Sequence, residues 1–458
     1  MSFPLPSPGI AGQPYQFAVI PSNFTLPSKL FIKNTTAAYI WDGTSVVQVT
    51  DPNYPALTVW GVAYLNGRIY VMAPDGTISG SETFDGLTWL STTIIAAKSE
   101  GDPAVALVRH LVYLIALKEK SSEFFYDAGL PAPGSPLLPM TNAFLEIGCA
   151  VGGSIALSDN TVFFMSESQP KGRSISRMRG FEGEPISDVF IDRILNADDL
   201  AYVWSFVVKK NGHVFYVLTL KTSAITLVYD DKMKKWHRWT TYTVGEEVEI
   251  EVTTDEYGIT TATTTSPNSL EDGDPISVTY NNGVLDITET VNVTFVSTVQ
   301  FTFTASQTVV DGSANYIPWI SSYFPFVFYT RGANEDLLLA EQGSDVMLFE
   351  DAVYQDSGQP INTLARTSIE DWGVMREKRF NRLELVGDLE PTTVLVRYND
   401  HDYKAAKWST YRSIVVEADR AQIAALGSGR RRAHEFRHTD NTSLRMIALE
   451  ADFDVGAR

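Results

Sequence analysis

The residues best suited to chemistry lie near the C-terminus, where His434-Glu435-Phe436-Arg437-His438 matches the HExxH pattern. Zinc proteases carry that pattern on a helix, so that side chains four apart share a face and reach one metal. Here His434, Phe436 and His438 alternate as they would along a strand. Asn441 begins a turn, and LRMIALEADF reads as the return strand of a hairpin, which pulls the imidazoles out of zinc geometry. Paired acids recur at Asp198-Asp199, Asp230-Asp231, and Asp400 with Asp402. A glycosidase needs two carboxylates across a sugar site, but these positions read as turn residues whose side chains accept backbone N–H groups. No P-loop, Gly-x-Ser-x-Gly elbow or GxGxxG occurs, so acyl transfer and nucleotide chemistry have no support. Cys149, the single cysteine, excludes a disulfide framework and a Cys-based zinc site, and in the run EIGCAVGG it reads as a small buried residue. No catalytic residue, metal or cofactor is therefore expected.

Two basic clusters remain. Arg430-Arg431-Arg432 follows Gly427-Ser428-Gly429, a flexible approach to three guanidinium groups that can meet DNA phosphates or acids on a neighbouring subunit. Lys232, Lys234 and Lys235 read as solubilising charges on a hairpin tip.

The elements that must position these residues are almost all strands. Short runs of Val, Ile, Tyr, Phe, Trp and Thr are separated by turn signals, among them Asn66-Gly67, Asp159-Asn160, Asn211-Gly212 and Asn282-Gly283. Such pairs tolerate the positive φ of tight hairpins. VAYLNGRIYVMA, IALSDNTVFFMS and FVVKKNGHVFYVLTL each give strand, turn and strand. A third strand such as AITLVYDD and a closing aromatic segment such as KKWHRW complete a unit. The units recur about every 40–50 residues, the period of four-stranded propeller blades. Helical periodicity is nearly absent; one short helix is expected at Ala418–Leu426, ended by Gly427.

Charge is unevenly distributed. The net charge is −19, yet from Trp239 to Thr330 there is no Lys or Arg, and the same stretch carries twelve acids between Glu246 and Asp311. This Thr-rich segment reads as an inserted β-module. An acidic surface of this kind opposes sequence-specific DNA binding, though not a conduit through which DNA slides. No apolar run reaches the roughly 18 residues of a membrane span. The opening MSFPLPSPGIAGQPYQF has no basic n-region and is broken by prolines, so no secretory signal is expected. The resulting expectation is an all-β chain, a β-propeller with an inserted small β-sandwich or barrel-like module. Residues 1–244 open the propeller, 245–306 form the acidic module, and 307–458 supply the remaining blades.

Four stretches in order carry a family resemblance: FDGLTW at Phe84–Trp89, SSEFFYDAG at Ser121–Gly129, FLEIGCAVGGSIALSDNTVFFM at Phe144–Met165, and TLVYDDKMKKWHRW at Thr226–Trp239. LVRYNDHDYKAAKWST, LGSGRRRAHEFRHT and RMIALEADFDVG add to it near the C-terminus. Over residues 60–240 and 375–458 the chain resembles the packaged-DNA stabilisation protein, or tail nozzle, of short-tailed bacteriophages. The resemblance implies a structural virion protein, made in the host cytoplasm and placed in the tail. It implies a sixfold ring below the portal and its adaptor ring. That ring would continue the DNA channel, retain packaged DNA and let it pass on ejection without reading its sequence. Implied partners are further copies of the chain, the adaptor, other tail proteins (fibre, spike or needle) and double-stranded DNA, with no membrane span. The alternative is a glycan-binding or glycan-cleaving propeller, a sialidase-like tailspike or lectin; a third reading is a host-derived scaffolding propeller. FDGLTW loosely resembles an Asp-box turn, but the Ser-x-Asp-x-Gly order is absent, and no converging arginine cluster is visible in the sequence.

Overall fold

The computed structural model describes residues 15–22, 27–130, 134–168, 172–268, 270–271, 273–331, 335–341, 346–350, 353–356, 359–404, 407–417 and 420–456. They are overwhelmingly β and fall into two compact units, 1–239 with 325–347, and 240–324 with 348–458.

In the first unit the strands form consecutive antiparallel sheets. The first sheet holds Gln16–Ile20, Lys29–Lys33, Ala38–Trp41 and Val46–Gln48; the second holds Ala63–Leu65, Arg68–Met72, Thr77–Ser81 and Trp89–Ala96. The third runs Ala104–His110, Tyr113–Lys118, Ser122–Asp127 and Leu137–Leu145. The fourth is built on Ala156–Ser158, Thr161–Ser168, Gly172–Arg179 and Glu182–Pro185, with Gly148–Cys149 on its edge. The fifth comprises Val203–Lys210, His213–Leu220, Ile225–Asp230 and the start of Lys235–Val244, and a three-stranded sheet follows at Phe326–Arg331, Asp336–Ala340 and Val346–Leu348.

The second to fifth sheets are blades because their inner strands are buried on both faces. Ile69 and Val71 pack with Ile20, Phe31 and Ile40 of the first sheet, while Tyr70 and Met72 between them pack with Leu107, Leu114 and Phe125 of the third. Ile115 and Phe124 turn the other way, onto Val162, Phe164 and Met178. Phe163 and Met165 then meet Tyr216, Leu218 and Leu227. Period-two alternation between two apolar neighbours yields the unbroken apolar runs seen in the sequence. Trp204 of the fifth blade donates through Nε1 to the Phe326 carbonyl at 2.8 Å, tying the three-stranded sheet to it.

The turn chemistry holds. Asn66 and Gly67 take φ of +46° and +88°, Asp159 +45°, and Asn211 and Gly212 +50° and +74°. Gly67 also has no room for a side chain, since a Cβ there would lie 2.9 Å from the Thr83 methyl. The FDGLTW turn buries Trp89, whose Nε1 donates to the Gly86 carbonyl at 3.1 Å and whose backbone N–H donates to Asp51 at 3.0 Å.

In the second unit, seven strands between Val248 and Tyr323 pair into one sheet, with Gly312–Tyr323 near its middle. That sheet folds around Ile250, Val252, Ile276, Val278, Phe301, Phe303 and Tyr316. On its strand Val248–Thr254 the exposed residues are polar: Glu249, Glu251 and Thr253. Thr240–Val244 pairs with Trp319–Tyr323 as a two-stranded stem. Farther along, Thr363–Arg366, Ala433–His438, Thr393–Asn399 and Arg412–Val415 form one sheet. Gln422–Ala424, Lys378–Gly387, Ser428–Gly429 and Met446–Val455 form another. The two share the core of Phe380, Leu383, Val394, Val396, Ile414 and Phe436, a sandwich.

Two sequence expectations change. Residues 418–419 lie outside the described ones, and Gln422–Ala424 is a strand on Arg382–Glu384 rather than helix, because its alternate residue Ile423 completes the sandwich core. Among the described residues the α-helix is instead Val189–Ala197, capped by Asp188, which accepts from the N–H groups of Phe190 and Ile191 at 2.9 Å each. Met446–Val455 does not return alongside the histidine strand: it crosses to the opposite sheet and pairs with Lys378–Gly387.

Candidate functional site

The structure divides the arginine run. Arg430 and Arg431 are exposed, and Arg431 pairs with Asp402. Arg432 is fully buried. Its guanidinium sits 4.0 Å from the Phe380 ring centroid and 3.8 Å from that of Tyr398. It donates to both Asp400 oxygens at 2.7 and 2.8 Å and to the Leu426 carbonyl at 2.9 Å. A guanidinium removed from water must be matched by partners of this quality. The buried ammonium of Lys378 donates to the Arg430 carbonyl at 2.6 Å, which fixes the backbone that presents the two exposed arginines.

A second basic group, missed in the sequence, lies on the outer face of the same sheet. Arg366, Arg397 and Arg437 come from three neighbouring strands in register, with Leu395 opposite Arg437 and Arg366 opposite Glu435. Arg366 and Arg397 converge on Glu435, which is fully buried and accepts from Arg366, from Arg397 Nε at 2.6 Å, and from the Tyr411 hydroxyl. Burial pushes the Glu435 pKa up, but the hydrogen bonds from Tyr411 and Arg366 and the charge of Arg397 outweigh it and hold the carboxyl below its ordinary range. Burial raises the Tyr411 pKa. Arg397 lies 4.5 Å from the Tyr411 ring and 5.1 Å from that of Trp408, and Arg366 5.6 Å from Trp408. Arg437 donates to Asp274 at 3.0 Å. The converging arginines of a glycan site are thus present as residue types, but Glu435 and Asp274 already supply their carboxylates. No single-segment pattern signals this cluster, because its members come from strands up to about seventy residues apart.

His434 and His438 lie on the strand Ala433–His438, four residues apart and so separated by about 13 Å along it. His438 shares a hydrogen bond of 2.8 Å with Thr392, while His434 packs edge-on to Trp372. Burial, helped by the Arg432 charge, lowers the His434 pKa to about 3. The acid pairs fill turn and ion-pair roles. Asp198 and Asp199 accept from the N–H groups of Leu200 and Ala201, Asp230 from those of Lys232 and Met233, and Asp231 pairs with Arg177, Arg179 and Lys234. Lys232 and Lys234 lie in the hairpin turn after Asp230, and Lys235 opens the next strand. Cys149 is buried, which pushes its thiol up to about 12. Among the described residues no group of three or more His, Cys, Asp or Glu is placed to hold a metal ion, and no helix is long and apolar enough to cross a membrane.

Four-stranded blades packed face to face define a β-propeller. Residues 22–254 match the family described as Phage_stabilise, Bacteriophage P22 Gp10, beta-propeller, and the chain belongs to this family of phage structural proteins. No curated protein matches it. Among solved structures it is similar to the WD40 beta propeller domain of Doa1, at 10% identity over 67% of this chain and 97% of that one, with a TM-score of 0.30. A chain of the mitotic checkpoint complex matches at 12% identity over 67% and 98%, TM-score 0.30. The computationally designed Ika8 protein matches at 13% over 67% and 82%, TM-score 0.29.

Proposed function

We propose that this chain is the subunit of a tail nozzle, a ring of six copies below the portal and its adaptor that continues the DNA channel. In this reading it retains packaged DNA, releases it during ejection, and meets further tail proteins on its other surfaces. The family match over residues 22–254 carries the reading. Two physical features support it. Blades that share cores on both faces make a stiff wedge, and stiff wedges tile a closed ring. A net charge of −19 suits a duct, because many phosphate contacts would hold DNA in place. Within the same proposal, residues 1–244 open the propeller, 245–306 are an insertion, and 307–458 supply the remaining sheets, beginning with the one at Phe326–Leu348 that follows the fifth blade. Arg430 and Arg431 are assigned as contacts to a neighbouring subunit or to passing DNA.

Immunogold labelling of intact particles with antibody to this chain tests the placement. Label at the tail end is expected. Particles without label overturn the virion role and return attention to glycan binding.

A further inference from the structure

We propose that the acidic module is a hinged arm, and that Gly273 and Asp274 latch it onto the arginine face of the C-terminal sandwich. The inference goes beyond the nozzle reading and rests on geometry within the second unit.

Each half of the latch is built into its own support. On the module side, Gly273 donates to the Val293 carbonyl at 2.7 Å, and the Val293 N–H donates to the Asp274 carbonyl at 3.0 Å. The second Asp274 carboxylate oxygen accepts from the Glu271 N–H at 2.8 Å. The loop therefore moves with the module core, to which Val293 and Leu270 belong. On the sandwich side, Tyr411 is locked to buried Glu435, and the Arg437 guanidinium lies 5.3 Å from the Tyr411 ring. Across the join, Arg437 Nη1 meets Asp274 at 3.0 Å, with the two side chains 5% and 24% exposed.

The seat is fitted to glycine. Gly273 has φ +81°, and a Cβ there would lie 2.9 Å from Tyr411 Cε2 and 3.2 Å from Arg437 Nη1. The fit thus needs both a positive φ and the missing side chain. Both ends of the module run into the two-stranded stem of Thr240–Val244 and Trp319–Tyr323. A two-stranded ribbon is only marginally stable on its own, which makes it a natural hinge. A partner that takes Arg437 or Asp274 into its own ion pair opens the latch and leaves both cores intact. The arm then swings with its twelve acids and no base.

Hydrogen–deuterium exchange on the isolated full-length chain tests this independently of where the chain sits in a particle. In Asp274→Lys, and separately in Gly273→Val, exchange in peptides covering 240–244 and 270–274 is expected to rise about tenfold. Peptides covering Phe301–Phe303 and Val394–Val396 are expected to keep their protection. Unchanged exchange at the stem and loop in both variants overturns the latch. A rise that spreads through both cores overturns it as well, since that pattern means the contact is ordinary folding support rather than a latch.

Discussion

The blades of the propeller and the acidic module are both antiparallel β, yet they bury their strands differently. In the blades, Phe163 and Phe164 are both fully buried and face different cores. In the module, Ile250 and Val252 face one core while Glu249 and Glu251 between and beside them are exposed. A strand with two covered faces accepts a charge only beside a partner, as buried Lys118 has in Asp102, so the blades hold few surface carboxylates on their central strands. A strand with one free face can accept acids at every second residue at little folding cost. The extreme charge of the chain is concentrated where the architecture leaves room for it.

Four substitutions or conditions sharpen or break this contrast. Phe163→Ala is expected to be the largest, about 3–5 kcal/mol, because Phe163 stacks on Tyr216 at 5.1 Å in the core between the fourth and fifth blades. Thermal unfolding reads it, and a loss under 1 kcal/mol would mean the blades do not share that core. Glu435→Gln removes one charge from a buried cluster and leaves the arginines uncompensated, with an expected loss of about 3 kcal/mol in a denaturant titration.

His434 gives a pH dependence to the sandwich. Its folded pKa of about 3 lies below the unfolded value near 6.5. The unfolded chain therefore binds the proton first, and stability is lost as pH falls from about 6.5 towards 3. Between pH 7 and pH 5 the loss from this group is about 2 kcal/mol. His434→Phe should flatten that part of the curve, and an unaltered slope would rule out the assignment. The smallest effect belongs to the free face of the module. Glu251→Lys is expected to change stability by under about 0.5 kcal/mol, and a large loss would show that this face is covered rather than free.

Much of the fold is legible in the sequence because its signals are local. Asn66-Gly67, Asp159-Asn160 and Asn211-Gly212 announce hairpins by residue type alone. Leu111 makes the equivalent turn in the third blade at φ +56°, and no propensity marks it. The helix at Val189–Ala197 has a readable start in Ser187-Asp188, followed by Ile191 and Leu195 at helical spacing, but it is short and set among strands. The candidate site is less legible. Arg430 and Arg431 carry the exposure that a basic run suggests, whereas the burial of Arg432 depends on Phe380 and Tyr398, which tertiary folding alone brings to it. The same holds for Glu435, whose partners lie on other strands. The return strand differs for a related reason: alternation in Met446–Val455 identifies a strand but not its partner, and the paired residues lie 59 to 77 positions away.

The order of the first unit along the chain has a consequence for its synthesis. The fifth blade leaves the ribosome well before Phe326, whose carbonyl receives the Trp204 indole, because the 85 residues from 240 to 324 come between. At translation rates of about 5–20 residues per second, that gap lasts roughly 4–17 s. For that interval the nascent chain holds an apolar blade face with nothing to cover it, and aggregation or chaperone capture competes with completion of the unit.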